Sequence, residues 1–199
     1  MKTAFLVIVI INYIIGSIPA AYIAGKVLKG IDIRQYGSGN VGATNALRVL
    51  GKGPGIAVFV ADVLKGVVGV YLAKAFLTDP WLIVVASLAV IIGHSYSIFL
   101  SFKGGRGVAT GAGIILSLSP RVLLLALVLF VIIVVTTKYV SLGSITAAFS
   151  IPILMFIFGE PVPIKLLGLT AALFVIYRHK PNIKRLLNGT ESKITDSFR

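Results

Sequence analysis

The chain has 199 residues, no cysteine, 57% apolar and only 13% charged residues, and 19 Lys+Arg against 6 Asp+Glu, for a formal net charge of +13. Soluble domains run at about 45–50% apolar and about 25% charged, so this is the composition of a membrane protein. Disulfides, cysteine-bound metal and a thiol nucleophile are excluded, and no polar stretch is long enough to fold as a soluble catalytic domain, so residues 1–199 are expected to form a single polytopic membrane domain.

Apolar segments lie at 4–25, 54–77, 81–100, 107–119, 121–137, 140–158 and 162–177. A spanning helix needs about 20 such residues. The first, second, third and sixth segments are long enough to cross. The fourth crosses only with help from the glycine-rich run before it, or by local thinning of the bilayer. Ser17 and Pro19 predict a kink or a close helix contact in the first segment, and Pro120-Arg121 a turn between the fourth and fifth. The expected fold is an all-α integral membrane protein, a compact bundle of seven transmembrane helices. Five is the fallback if two short segments are re-entrant or merged. Lys2 before an apolar run suggests a secretory signal, but the run is too long and ends without a small-x-small cleavage site.

Basic residues orient the bundle. With the N-terminus outside, the inner side receives Lys26, Lys29, Arg34, Arg48, Lys52, Lys103, Arg106, Lys138, Arg178, Lys180, Lys184, Arg185, Lys193 and Arg199. The outer side receives only Lys2, Lys74, Arg121 and Lys165. The bias predicts an outer N-terminus and a cytoplasmic C-terminus. Because the charges sit between apolar segments, they point to the bilayer and its anionic headgroups, or to phosphate-bearing substrates, rather than to nucleic acid.

Three inner segments carry unusual chemistry. The first holds Gly37-Ser38-Gly39-Asn40-Val41-Gly42, a literal G-x-G-x-x-G. It has no preceding strand and no βαβ unit, so it is not a dinucleotide fingerprint. Its glycines let backbone N–H groups converge on an anion. Ser38, Asn40, Thr44 and Asn45 add donors, and Arg48 can grip a phosphate bidentately. The plain alternative is a well-capped loop between spans.

The second runs from Gly93-His94 to Lys103-Gly104-Gly105-Arg106-Gly107, just before a predicted helix. Glycines and two cations at a helix start suit an anion, or else an interfacial turn anchored to headgroups. His94 is open between packing, acid–base work and substrate hydrogen bonding. The third is Tyr177–Lys193, with a break expected at Pro181, a short amphipathic helix over 182–188 and a turn at Asn188-Gly189. It suits either an anionic lipid surface or an active site. His179 can take up or orient a hydroxyl proton; Asn182 and Glu191 spoil a purely basic tail. Asp62 and Lys65, three apart in the second span, form a structural ion pair or line a polar cavity. Ser144, Thr146 and Ser150 are weaker candidates, since hydroxyls can bond their own helix backbone.

No H-E-x-x-H, carboxylate pair or G-x-S-x-G is present, so no metal or cofactor is expected. The residues leave two readings. One is an enzyme acting on an anionic substrate at the inner surface. The other is a small membrane anion carrier or channel, which would be expected to carry internal repeats and mid-membrane sites; no matching segments are found.

Four blocks, in order and spacing, resemble the PlsY family of bacterial acyl-phosphate:glycerol-3-phosphate acyltransferases over nearly the whole chain. They are Gly16-Ser17-Ile18-Pro19, Gly37 through Asn45, Gly93-His94 through Thr110, and His179 through Lys193. The resemblance implies seven membrane helices in the bacterial cytoplasmic membrane, with the active site facing the cytoplasm. It implies transfer of a fatty acyl group from acyl phosphate to the 1-hydroxyl of glycerol 3-phosphate, the first acylation of phospholipid synthesis, coupled to an enzyme that supplies acyl phosphate. The His-x-x-x-x-Asp signature of other glycerol-phosphate acyltransferases is missing, for Phe99 and Lys184 stand five beyond the two histidines. By resemblance, Ser38, His179 and Asn182 are catalytic. By the same resemblance Arg48, Lys103, Gly104, Gly105, Arg106 and Gly107 bind substrate, and Glu191 supports them. From their own chemistry, Asn40, Asn45, Lys65 and His94 are further candidates to bind substrate, with Asp62 supporting. The second loop cation, often lysine in the family, is Arg106 here; a fork replaces a point charge.

Overall fold

The computed structural model describes residues 2–196; Arg199, counted above among the inner charges, lies outside the described residues. The described chain divides into two compact units, one ending at Ser117 and the other beginning at Leu118.

The first unit opens with α1 (Lys2–Ser17) and α2 (Ala20–Lys29), one apolar run broken at Ile18-Pro19. A 3-10 turn (Ile33–Gln35) and α3 (Ala43–Leu50) fill the first loop. Then come the long α4 (Lys52–Phe76), α5 (Pro80–Ser95), a second 3-10 turn (Ile98–Leu100) and α6 (Val108–Leu118). Asp79 caps α5 by accepting from the Trp81 N–H at 2.8 Å, with Pro80 in the first turn. Hydrocarbon supplies no hydrophobic drive between helices, so close packing must hold them. Gly16 of α1 lies on the Val90 backbone of α5, and Gly93 of α5 on the Tyr13 carbonyl of α1. Gly66 and Gly113 bring α4 and α6 together in the same way.

Asn12, fully buried in α1, ties three helices. Its Nδ2 donates to the Gly69 carbonyl of α4 at 3.1 Å and the Ala86 carbonyl of α5 at 2.8 Å. Polar bonds between membrane helices are worth about 0.6–2 kcal/mol. Asn12→Leu should therefore lower the unfolding midpoint of the protein in detergent without changing its helical content, as thermal unfolding followed by circular dichroism would read.

The second unit holds α7 (Pro120–Thr137), α8 (Val140–Ile157), α9 (Val162–Arg178) and α10 (Lys180–Leu187). Leu124, Leu127, Val128, Val131, Ile132 and Val135 of α7 are exposed at helical spacing, the stripe a lipid-facing helix shows. Ser144, Thr146 and Ser150 donate to the carbonyls of Val140, Leu142 and Ala147 in their own helix.

Among the described residues, five helical runs are long and apolar enough to cross a membrane, or six if α9 and α10, bent by 56°, count as one broken span. The fourth expected crossing is α6. Its 11 residues rise about 16 Å against a hydrocarbon core about 30 Å thick. The break near the C-terminus falls at His179 and not at Pro181, because Pro181 sits in the first turn of α10, where a missing N–H costs no hydrogen bond.

Candidate active site

The first loop is organised from its ends inward. Asp32 caps the 3-10 turn by accepting from the Arg34 N–H at 3.0 Å and holds the Arg34 guanidinium at 2.7 Å. The Arg34 hydrogen bond keeps the Asp32 carboxyl at about 2. Gly37 and Gly39, with φ of 59° and 70°, turn the chain on either side of Ser38. Ser38 is exposed, just ahead of α3. Asn45, in the first turn of α3, fixes this turn from below. Its Oδ1 accepts from the Ser38 N–H at 2.9 Å, and its Nδ2 donates to the Ile33 and Tyr36 carbonyls at 3.2 and 3.1 Å. Asn45 is expected on substrate, yet it is fully buried and its amide is spent inside the loop. Asn40 lies half-buried against Gly42, and Arg48 half-buried in the last turn of α3.

The second loop folds back over the end of α5. The Gly104 N–H donates to the Ser95 carbonyl at 3.1 Å and the Gly105 N–H to the His94 carbonyl at 3.0 Å. Helix ends leave carbonyls unsatisfied, and these two N–H groups fill that need. They therefore do not converge on an anion, as glycines before a helix suggest. Arg106 is half-buried, Lys103 exposed and Gly107 buried with φ of 81° at the entry to α6. The turn before them is strained, with Ser101 and Phe102 both left-handed at φ of 51° and 62°.

Beneath that turn, Asp62 and Lys65 of α4 form a buried ion pair at 2.6 Å. Lys65 Nζ also donates to the Ile18 carbonyl at 2.5 Å, where α1 breaks. The neighbouring Ser17 carbonyl accepts from the Ser97 hydroxyl. His94 Nδ1 stands 3.6 Å from Asp62 Oδ1. A cavity of about 10 Å³ opens beside these groups, room for about one water. Lys65 and His94, expected to contact substrate, are only 7% and 8% exposed. The Lys65 ammonium is engaged within the protein.

In the second unit the α9–α10 bend carries His179 and Asn182, each 2% exposed. His179 Nδ1 lies 2.7 Å from the Val175 carbonyl. A carbonyl only accepts, so Nδ1 carries the proton and Nε2 is the basic nitrogen. Asn182 Nδ2 donates to Glu191 Oε1 at 2.6 Å, and Arg185 Nε to Glu191 Oε2 at 2.7 Å. Asn182 Oδ1 is buried with no hydrogen-bond partner among the described residues, an acceptor held ready. The part of Arg185 was missed from the sequence, though an arginine six residues before an isolated glutamate was the available signal. Ser141 of α8, beside Glu191, carried no such signal.

Burial alone raises the Glu191 carboxyl, but the Ser141 hydroxyl, the Asn182 amide and the Arg185 guanidinium outweigh it and hold the group below its ordinary value of 4.5. A lowered carboxyl contributes stability that is complete above its ordinary value and is lost as pH falls through the lowered one. Wild-type protein should therefore lose unfolding temperature as pH falls from about 6 to about 3. Glu191→Gln should start lower at neutral pH and lose less over the same range.

Over residues 6–189 the chain matches the glycerol-3-phosphate acyltransferase family. It is 46% identical to the glycerol-3-phosphate acyltransferase of Synechococcus elongatus, over 98% of this chain and 96% of that one. It is 48% identical to that of Fusobacterium nucleatum, over 96% and 98%. Two crystal structures of PlsY (YgiH), an integral membrane glycerol 3-phosphate acyltransferase, are similar throughout. The glycerol 3-phosphate form has a TM-score of 0.90 and the lysophosphatidic acid form 0.88. Both are 43% identical and cover 95% of this chain and 94% of theirs.

Proposed function

The chain belongs to the glycerol-3-phosphate acyltransferase family, and we propose that it moves a fatty acyl group from an acyl phosphate to the 1-hydroxyl of sn-glycerol 3-phosphate. It is a multi-pass membrane acyltransferase, and the carrier or channel alternative falls away. The identity to the Synechococcus elongatus enzyme over almost the entire chain carries this reading. The missing His-x-x-x-x-Asp signature supports acyl phosphate as donor. An acyl phosphate is already activated, so no CoA or carrier-protein thioester is needed.

The proposed step is direct. The 1-hydroxyl oxygen attacks the acyl carbonyl carbon, and the bond from that carbon to the phosphate oxygen breaks with its electron pair leaving on phosphate. The hydroxyl proton passes to His179 Nε2 or to a phosphate oxygen of a substrate. Products are 1-acyl-glycerol 3-phosphate and inorganic phosphate. Arg48, Lys103 and Arg106 offset the charge of two anionic substrates, with Asn40 and Gly107 beside them. Ser38 contacts the reacting centre. Asn182 Oδ1, buried without a partner, accepts from a substrate hydroxyl, and Glu191 holds Asn182 in place. The orientation that best suits the basic residues is an outer N-terminus and seven crossings, α6 included, in the cytoplasmic membrane with the active site inward. An enzyme making acyl phosphate must supply the donor.

The test uses protein purified in lipid, palmitoyl phosphate and glycerol 3-phosphate, with phosphate release and lysophosphatidic acid followed together. Equal amounts of both from acyl phosphate, and none from palmitoyl-CoA, are expected. Product from the thioester would overturn the choice of donor.

A further inference from the structure

We propose that His94 is a positioning residue for the glycine loop. Buried beside Asp62 on one edge and against Gly105 on the other, it sets where Lys103 and Arg106 meet the phosphate of glycerol 3-phosphate. The inference rests on the acyltransferase reading above.

His94 is the penultimate residue of α5 and is 8% exposed. Its Nδ1 faces Asp62 Oδ1 at 3.6 Å. The same oxygen accepts from Lys65 Nζ at 2.6 Å, and Lys65 is fixed in turn on the Ile18 carbonyl. The ring is thus oriented from the break in the first span. On its other edge, Nε2 lies where a side chain on Gly105 would begin, and the His94 carbonyl lies where one on Gly104 would begin. Gly105 has no left-handed backbone. Glycine is required there by the imidazole and not by the turn.

The loop needs such a floor. Ser101 and Phe102 are both left-handed without being glycine, a conformation that persists only where its surroundings impose it. Two backbone bonds hold the chain to the end of α5, from Gly104 to Ser95 and from Gly105 to His94. The ring sets how deep it sinks. Lys103 and Arg106 flank this point directly, so a shift of the floor moves both cations. Cations displaced from the phosphate hold it less well before and during reaction alike, which reads as a higher KM at an unchanged kcat.

The experiment is a double-mutant cycle on the full-length protein in lipid nanodiscs, with palmitoyl phosphate saturating. Gly105→Ala places a methyl on His94 Nε2 and should raise KM for glycerol 3-phosphate about 10- to 100-fold, the size of one weakened hydrogen bond to a charged group, with kcat little changed. His94→Asn is shorter and keeps a polar edge toward Asp62. In that background the methyl has room, and Gly105→Ala should add no more than about twofold. If His94→Asn does not fold, as judged by gel filtration and thermal unfolding, His94→Ser, shorter still, completes the cycle.

Three results would overturn the inference: effects that multiply as independent changes, an unchanged KM in Gly105→Ala, or a kcat collapse at position 94 with KM intact. That last result would make His94 a chemical participant. Wild-type protein yielding no lysophosphatidic acid would overturn the reaction instead.

Discussion

Replacing His179 by asparagine should lower kcat by about 100- to 10,000-fold and leave KM for glycerol 3-phosphate nearly unchanged. Asparagine keeps an N–H at the position of Nδ1 for the Val175 carbonyl, which His179 Nδ1 faces at 2.7 Å, but has no basic nitrogen to replace Nε2. The acid limb of the pH–rate profile, where an imidazole takes on its proton, should vanish with it. The result separates the two proton acceptors. If a substrate phosphate oxygen takes the proton, the loss should shrink below about tenfold and the acid limb should survive. Steady-state kinetics at several pH values read both quantities from one sample.

Ser38→Ala should lower kcat by about 100- to 1,000-fold, the size of effect seen when one donor to a developing oxyanion is removed. Among the described residues no base is hydrogen-bonded to its hydroxyl, and its N–H is already committed to Asn45. Those facts fit a group that polarises or steers, and not a nucleophile, which needs an adjacent base. Mass spectrometry of wild-type enzyme quenched during turnover should find no acyl group on Ser38. An acyl-Ser38 adduct would replace direct attack with a two-step transfer.

Both positions stand out in the sequence, as do Arg48 and the two cations of the second loop. A serine between glycines, a lone histidine beside a span and cations at a helix start are departures from what a membrane segment needs. Asn45, Lys65 and His94 were legible as unusual but not in their parts. Their role depends on burial, and burial depends on how α1, α4 and α5 meet. Asn45 looked like a donor to substrate because its spacing from Ser38 says nothing of which way the amide points. The helices were readable from hydropathy to within a few residues. The short reach of α6 was readable too, as a segment that crosses only with help; the bend at His179 was not, because proline is as good at a helix start as at a stop.

The break in the first span has a consequence for how the protein is made. At Ser17 and Ile18 the backbone carbonyls give up their helical partners and take Ser97 and Lys65 instead. Those partners come 80 and 47 residues later in the chain. When the first hydrophobic segment leaves the ribosome and enters the bilayer, neither side-chain partner exists yet; the Ile18 carbonyl has only the local Ala20 N–H at 3.1 Å, and hydrocarbon offers the Ser17 carbonyl no substitute. The segment must then ride as an unbroken helix up to Pro19, or wait near the headgroups, until the later helices arrive. The bent form is a product of assembly, acquired only when roughly half of the polypeptide has been synthesised. An amino-terminal fragment ending before Lys65 should insert but stay straight, and co-expression of the remainder should restore the joint.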